Sequence, residues 1–264
     1  NLLLGGTARR WGMANPHLQA VATLLHERAP REVPVIVEPL PTPPAPQRPG
    51  PVPGWVRELW PDAEALPPTQ LLSNGHYSVT LRPNGAGWSR WGVVGVTRSR
   101  DDALRDALGS FLYLRHQRHG PVVSLTSHPA PDDSATYGCV FHADRVCFDA
   151  RWPHLLARTT VWVSPEDDIE LRRVELHNLG DAAIEIELIS AFEVSLSQPQ
   201  ADVAHPAFAN LFVSARWQAP QQALLFERTP RLPSEPALQM AHFLAETDPL
   251  LLELQIQTDR QLWA

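Results

Sequence analysis

Trp88, Ser89, Arg90 and Trp91 follow directly on a glycine turn, Gly85-Ala86-Gly87, and Arg98 comes shortly after them. An indole ring packs against the apolar face of a pyranose, while guanidinium and hydroxyl groups bond its rim. These residue types could therefore grip a sugar, with Trp88 or Trp91 as the stacking platform and Arg90 and Arg98 bonding hydroxyls. Arg100, Asp101 and Asp102 alternate in sign, as do Arg105 and Asp106 beyond them. Such residues can pair bidentately and hold a loop in one shape. A second reading of the same stretch is a charge-laced loop beside core tryptophans.

Other chemistries lack their residues. The glycine turn has neither the third glycine nor the following helix of a dinucleotide fingerprint. No G-x-S-x-G elbow anchors a hydrolase triad. His116 and His119 form a lone H-x-x-H without a carboxylate or thiolate partner, which reads as surface histidine; no metal or other cofactor is expected. Asp167 and Asp168 sit in a Ser-Pro turn, where carboxylates are expected to cap backbone N–H groups. Cys139 and Cys147 flank a plausible turn, His142-Ala143-Asp144, and are expected as two buried free thiols facing each other across a hairpin. The formal net charge of −7 offers no basic stripe for phosphates, which argues against nucleic acid as a partner. No run of eighteen apolar residues is present to cross a membrane as a helix.

Three regions must position these residues. In residues 1–33, Asn15 caps and Pro16 opens a helical pattern in which Leu18, Val21, Leu24 and Leu25 recur, closed by Pro30. Residues 34–68 are proline-dense and predict a semi-rigid spacer, with Trp55, Val56, Leu59 and Trp60 as a helical turn docking it. Residues 69–264 alternate apolar and polar side chains with period two in HYSVTLRP, RTTVWVS, ELRRVELHN, AIEIELISAFEVSL and NLFVSARWQ. Many such runs separated by Pro/Asn/Gly/Asp turns predict a mainly β protein, a large antiparallel sandwich. The closing LLELQIQTDRQLWA shows no cap, so the sandwich is expected to be truncated there. The chain does not begin with Met and reads as part of something longer.

Long motifs now carry a family resemblance. LLSNGHYSVTL at 71–81, GAGWSRWGVVGVTRSRDDALRDALGSFLYLR at 85–115, SPEDDIELRRVELHNLGD at 164–181 and HPAFANLFV at 205–213 resemble the β-sandwich domain of glycoside hydrolase family 94, formerly glycosyltransferase family 36. More narrowly, they are similar to the phosphorylase-like C-terminal part of bacterial cyclic β-1,2-glucan synthases. LLHERAPREVP at 24–34 resembles the tail of the glucoamylase-like domain that precedes this module.

The resemblance implies a galactose mutarotase-like super-sandwich, followed in the same polypeptide by an (α/α)6 barrel that carries the catalytic acid. Inorganic phosphate attacks the anomeric carbon in that barrel, so phosphate is a partner of the parent enzyme only. A β-glucan or oligosaccharide is the implied ligand. The implied place is the cytoplasmic side of a bacterial inner-membrane protein. The chain itself would be a non-catalytic part that supports and walls the barrel's active site. Two alternatives remain: a purely structural docking or dimerisation domain, or a stand-alone carbohydrate-binding module. The sequence departs from the family where Ser99 and Ala107 replace tryptophans and where Gly92-Val93-Val94 replaces an acidic residue after Trp91. Trp88 stands where Tyr is usual, which keeps an aromatic face.

Overall fold

A computed structural model describes residues 56–61, 68–100, 108–116, 120–233, 235–245 and 254–259. The helical pattern expected in residues 1–33 and most of the proline-rich stretch lie outside the described residues. The described ones belong to one compact unit, Pro51–Ala264.

Among the described residues sixteen strands follow one another. The first seven are β1 (Val56–Leu59), β2 (Gln70–Ser73), β3 (Tyr77–Leu81), β4 (Gly87–Trp91), β5 (Val94–Thr97), β6 (Phe111–His116) and β7 (Val122–Ser124). Then come β8 (Thr136–His142), β9 (Val146–Arg151), β10 (Leu155–Val163), β11 (Glu170–Asn178), β12 (Ile186–Ala191) and β13 (Val194–Ser197). Two short helices, α1 (Pro199–Ala204) and α2 (Pro206–Asn210), precede β14 (Val213–Gln218), β15 (Ala223–Arg228) and β16 (Leu238–Phe243). Both helices open on proline, whose fixed φ suits a first turn.

These strands form four antiparallel sheets: β1-β8-β9-β10-β11, β13-β5-β4-β3-β2, β12-β6-β7 and β14-β15-β16. This is the mainly β, antiparallel architecture that the alternating runs predict. Hydrophobic residues at every second position generate it. Tyr77, Val79 and Leu81 of β3 point one way, and Phe141, Val146, Phe148 and Val161 meet them from the five-stranded sheet that begins with β1. A second core joins Leu114 and Leu125 to Ala150, Trp152, Leu155 and Ala157. The long strands β9 and β10 serve both cores, since Phe148 and Val161 enter the first while Ala150 and Ala157 enter the second. The sheet that begins with β1 therefore faces both the other five-stranded sheet and the three-stranded β12-β6-β7 sheet. Burying each large apolar side chain in these cores contributes about 1.5–3 kcal/mol.

Three details depart from expectation. Residues 56–59 form a strand rather than a helical turn, and β1 pairs antiparallel with β8. The run AIEIELISAFEVSL breaks at Phe192-Glu193, so that β12 pairs with β6 while β13 pairs with β5. The cysteines do not face each other. Val140, not Cys139, is the Cα partner of Cys147 in the β8–β9 register, so the two thiols fall on opposite faces. Cys139 is buried in the first core, Cys147 is half-buried, and both are free.

Candidate functional site

Strand β4 divides the proposed sugar-contact residues between two faces. Its register places Trp91 opposite Tyr77, Ser89 opposite Val79, Arg90 opposite Ser78 and Trp88 opposite Thr80. Period two then puts Ser89 and Trp91 on the core face with Tyr77 and Val79, and Trp88 and Arg90 on the outer face. Trp88 is half-buried there. The guanidinium carbons of Arg82 and Arg90 lie 5.9 and 5.8 Å from its ring centroid. An indole face attracts cations at this separation. The Arg90 Nε is buried and has no hydrogen-bond partner among the described residues. Arg82 was not singled out from sequence. It lies on the outer face because it continues the alternation of β3 two positions beyond Thr80.

On the core face the acidic start of β11 ties β4 to the opposite sheet. Glu170 Oε2 accepts hydrogen bonds from Ser89 Oγ at 2.5 Å and from Tyr77 OH at 3.2 Å. Its Oε1 takes Arg172 Nε at 2.6 Å, and Arg172 Nη1 reaches the Ser110 carbonyl at 2.7 Å. Burial, and then the Glu170 charge, push the Tyr77 phenol well above its ordinary range. Two residues earlier, Asp168 Oδ2 accepts the Trp91 indole N–H at 2.6 Å. Asp168 is therefore not a backbone cap, as expected from sequence; the cap belongs to Ser164, whose Oγ accepts the N–H groups of Glu166 and Asp167. Glu170 could have been found in ELRRVELHN as the strand residue sharing the period of Asp168.

Arg98 lies beneath the surface, only 6% exposed. Its Nε and Nη2 donate to the two oxygens of Asp202 at 2.9 and 3.0 Å, and its Nη1 to Glu193 at 2.7 Å. Nη2 also donates to Asn210 Oδ1. The end of β5 is thus fastened to α1 and α2. Asp202, Glu193 and Asn210 carry no local sequence signal that would assign them to Arg98. Arg100 is exposed, while Asp101 and Asp102 lie outside the described residues.

The glycine turn is not an open mouth of the sheet. Gly85 has φ +94°, and a Cβ there would collide with the Thr126 side chain. The Asn84 carbonyl accepts the His128 N–H at 3.1 Å, and the turn packs inward. His116 stacks edge-on against His154 with centroids 5.2 Å apart; His119 lies outside the described residues. Among the described residues no group of three His, Cys, Asp or Glu could hold a metal ion, and no helix is long and apolar enough to cross a membrane.

Antiparallel sheets facing each other over shared apolar cores make a β-sandwich. Residues 56–264 match the family described as "Glycosyl hydrolase 94, supersandwich domain", and the chain belongs to that family. It is 31% identical over 269 residues to the cyclic beta-(1,2)-glucan synthase NdvB of Rhizobium meliloti (strain 1021), covering 99% of this chain and 9% of that protein. It is 28% identical over 147 residues to the N,N'-diacetylchitobiose phosphorylase of Vibrio proteolyticus, covering 54% of this chain and 18% of that protein. The chain thus spans a small part of the length of either relative.

Proposed function

We propose that this supersandwich supports and partly walls the active site of a β-glucan-processing catalytic domain in the same polypeptide, presenting the outer face of β4 to the glucan. The observation that carries this reading is the Arg90 guanidinium lying over the half-buried Trp88 ring on that face. A planar cation resting on an indole keeps its remaining N–H groups for hydroxyl oxygens. Trp88 and Arg90 are the contact residues; Arg98, buried at the end of β5, is a positioning residue for α1 and α2. The catalytic acid and the inorganic phosphate belong to an (α/α)6 barrel, and the parent sits at the bacterial inner membrane with this domain on its cytoplasmic side. Similarity to a cyclic glucan synthase over 99% of the chain supports this assignment. In the full-length protein, W88A and R90M should each weaken β-1,2-glucan binding about tenfold by calorimetry. Unchanged affinity in both variants would sink the reading.

One observation favours a docking role alongside it. Val203, Phe208 and Leu211 of the helical segment are 53%, 46% and 76% exposed. Large apolar side chains together on a surface mark contact sites. A purely structural domain predicts that F208D and L211D loosen its association with the barrel while W88A leaves glucan binding intact.

A further inference from the structure

Trp91 stands apart from the outer β4 face. It is 44% exposed although its indole N–H is fixed to Asp168. Val93 in the adjoining turn is 75% exposed, and Ile169, next to Asp168, is 41% exposed. Three turns are cross-bonded around this spot. The Gly92 N–H donates to the His76 carbonyl at 2.8 Å. Asn74 Nδ2 donates to the carbonyls of Ser164 and Asp167 at 3.0 and 2.9 Å. Asp167 and Asp168 are exposed carboxylates on the same platform.

We propose that this end of the sandwich is a second saccharide site, separate from the outer face of β4, and that it takes a neutral glycan. The Trp91 ring stacks on a pyranose face, and the free oxygens of Asp167 and Asp168 accept hydrogen bonds from neighbouring hydroxyls. An ionised carboxylate is acceptor-only and suits hydroxyl donors. The same charges repel a phosphorylated or carboxylated sugar, in contrast to the guanidiniums beside Trp88. The fixed indole and cross-bonded turns lose little freedom on binding. The apolar area is one indole and two aliphatic side chains, closer to a sugar face than to a protein interface. The inference rests on the carbohydrate reading above but uses neither Trp88 nor Arg90.

Oxidative footprinting of tryptophans in the full-length protein tests it. A neutral β-1,2-linked gluco-oligosaccharide should slow oxidation of Trp91, in W88A as in the unmodified protein, and glucose 1-phosphate at the same concentration should not. D168N keeps an oxygen for the indole but loses the charge, so half-protection should need about tenfold more oligosaccharide. Oxidation of Trp91 that is indifferent to the oligosaccharide overturns the proposal. So does protection that disappears in W88A, which would make the two surfaces one. Protection that rises with protein concentration in the absence of sugar would assign the platform to a protein contact and also overturn it. If Trp91 is protected while Trp88 is not, the outer-face reading fails and this one stands.

Discussion

Arg98 and Asp202, 104 positions apart in the chain, meet in a bidentate pair with both side chains almost entirely withdrawn from water. The pair joins the end of β5 to α1, and Glu193 and Asn210 complete the guanidinium's shell. Burying two charges is costly, and the cost is recovered only while every partner is present. Removing one partner leaves the other charged and desolvated. R98A should therefore destabilise the domain by about 3–5 kcal/mol in urea denaturation. R98M combined with D202L should lose less than R98A alone, because no unpaired carboxylate then remains at position 202. Equal losses in the two variants would mean that packing, not charge, holds the helices.

Two glycines with different surroundings should respond differently to alanine. A Cβ at Gly87 would press into the Thr80 carbonyl across the β3–β4 pair, where neither backbone can give way. G87A should cost at least the 1–3 kcal/mol or so of an overpacked core. Gly75 has φ +95°, but no atom lies within 4 Å of where a Cβ would stand. G75A should therefore cost about 1–2 kcal/mol of backbone strain alone. Thermal midpoints of both variants, measured side by side, check the order.

His242 supplies a pH dependence. It packs edge-on against Phe192 with centroids 4.8 Å apart. Burial, and then the Arg172 charge, hold its imidazole below the ordinary value of 6.5, with Glu170 opposing them. The folded chain keeps this group neutral where the unfolded chain would protonate it. Stability contributed by the neutral form is present above about 6.5 and declines as the pH falls below it. Replacing His242 with Gln should flatten the decline of the thermal midpoint between about pH 7 and 5. An unchanged slope would show that other groups set the acid limb.

The cysteines should differ in reactivity. Burial pushes the Cys139 thiol well above its ordinary range, and thiolate is the reactive form. Alkylation of the native protein followed by mass spectrometry should label Cys147 first, with Cys139 reacting only as the domain opens. Air oxidation should yield no Cys139–Cys147 disulfide, because the β8–β9 register aims the two side chains to opposite faces.

Much of the β architecture was legible because the strand signal is local. ELRRVELHN gives β11 to the residue, and HYSVTLRP contains β3. Local patterning also placed the glycine turn at Gly85-Ala86-Gly87, yet it could not say that the turn would pack inward, since the partner at Thr126 lies far along the chain. The same limit affects the candidate contact residues. Their types are visible in GWSRW, but which of them share a face depends on the pairing with β3. What each polar group bonds depends on residues about 80 to 100 positions away, such as Glu170 for Ser89 and Asp202 for Arg98. Trp55 to Trp60 misled because a four-residue apolar patch fits a helical turn and an edge strand equally well. Only pairing with β8 decides between them.

The long separation between β5 and β13 also bears on how the protein is made. Ser195 bonds back to Gly95 across 100 positions of sequence, so β5 waits for its neighbour until β13 has left the ribosome. At the usual rate of synthesis that delay is about 5–20 seconds. Throughout it, one edge of the sheet containing Trp88 stands open, with its backbone groups ready to pair with any other nascent strand.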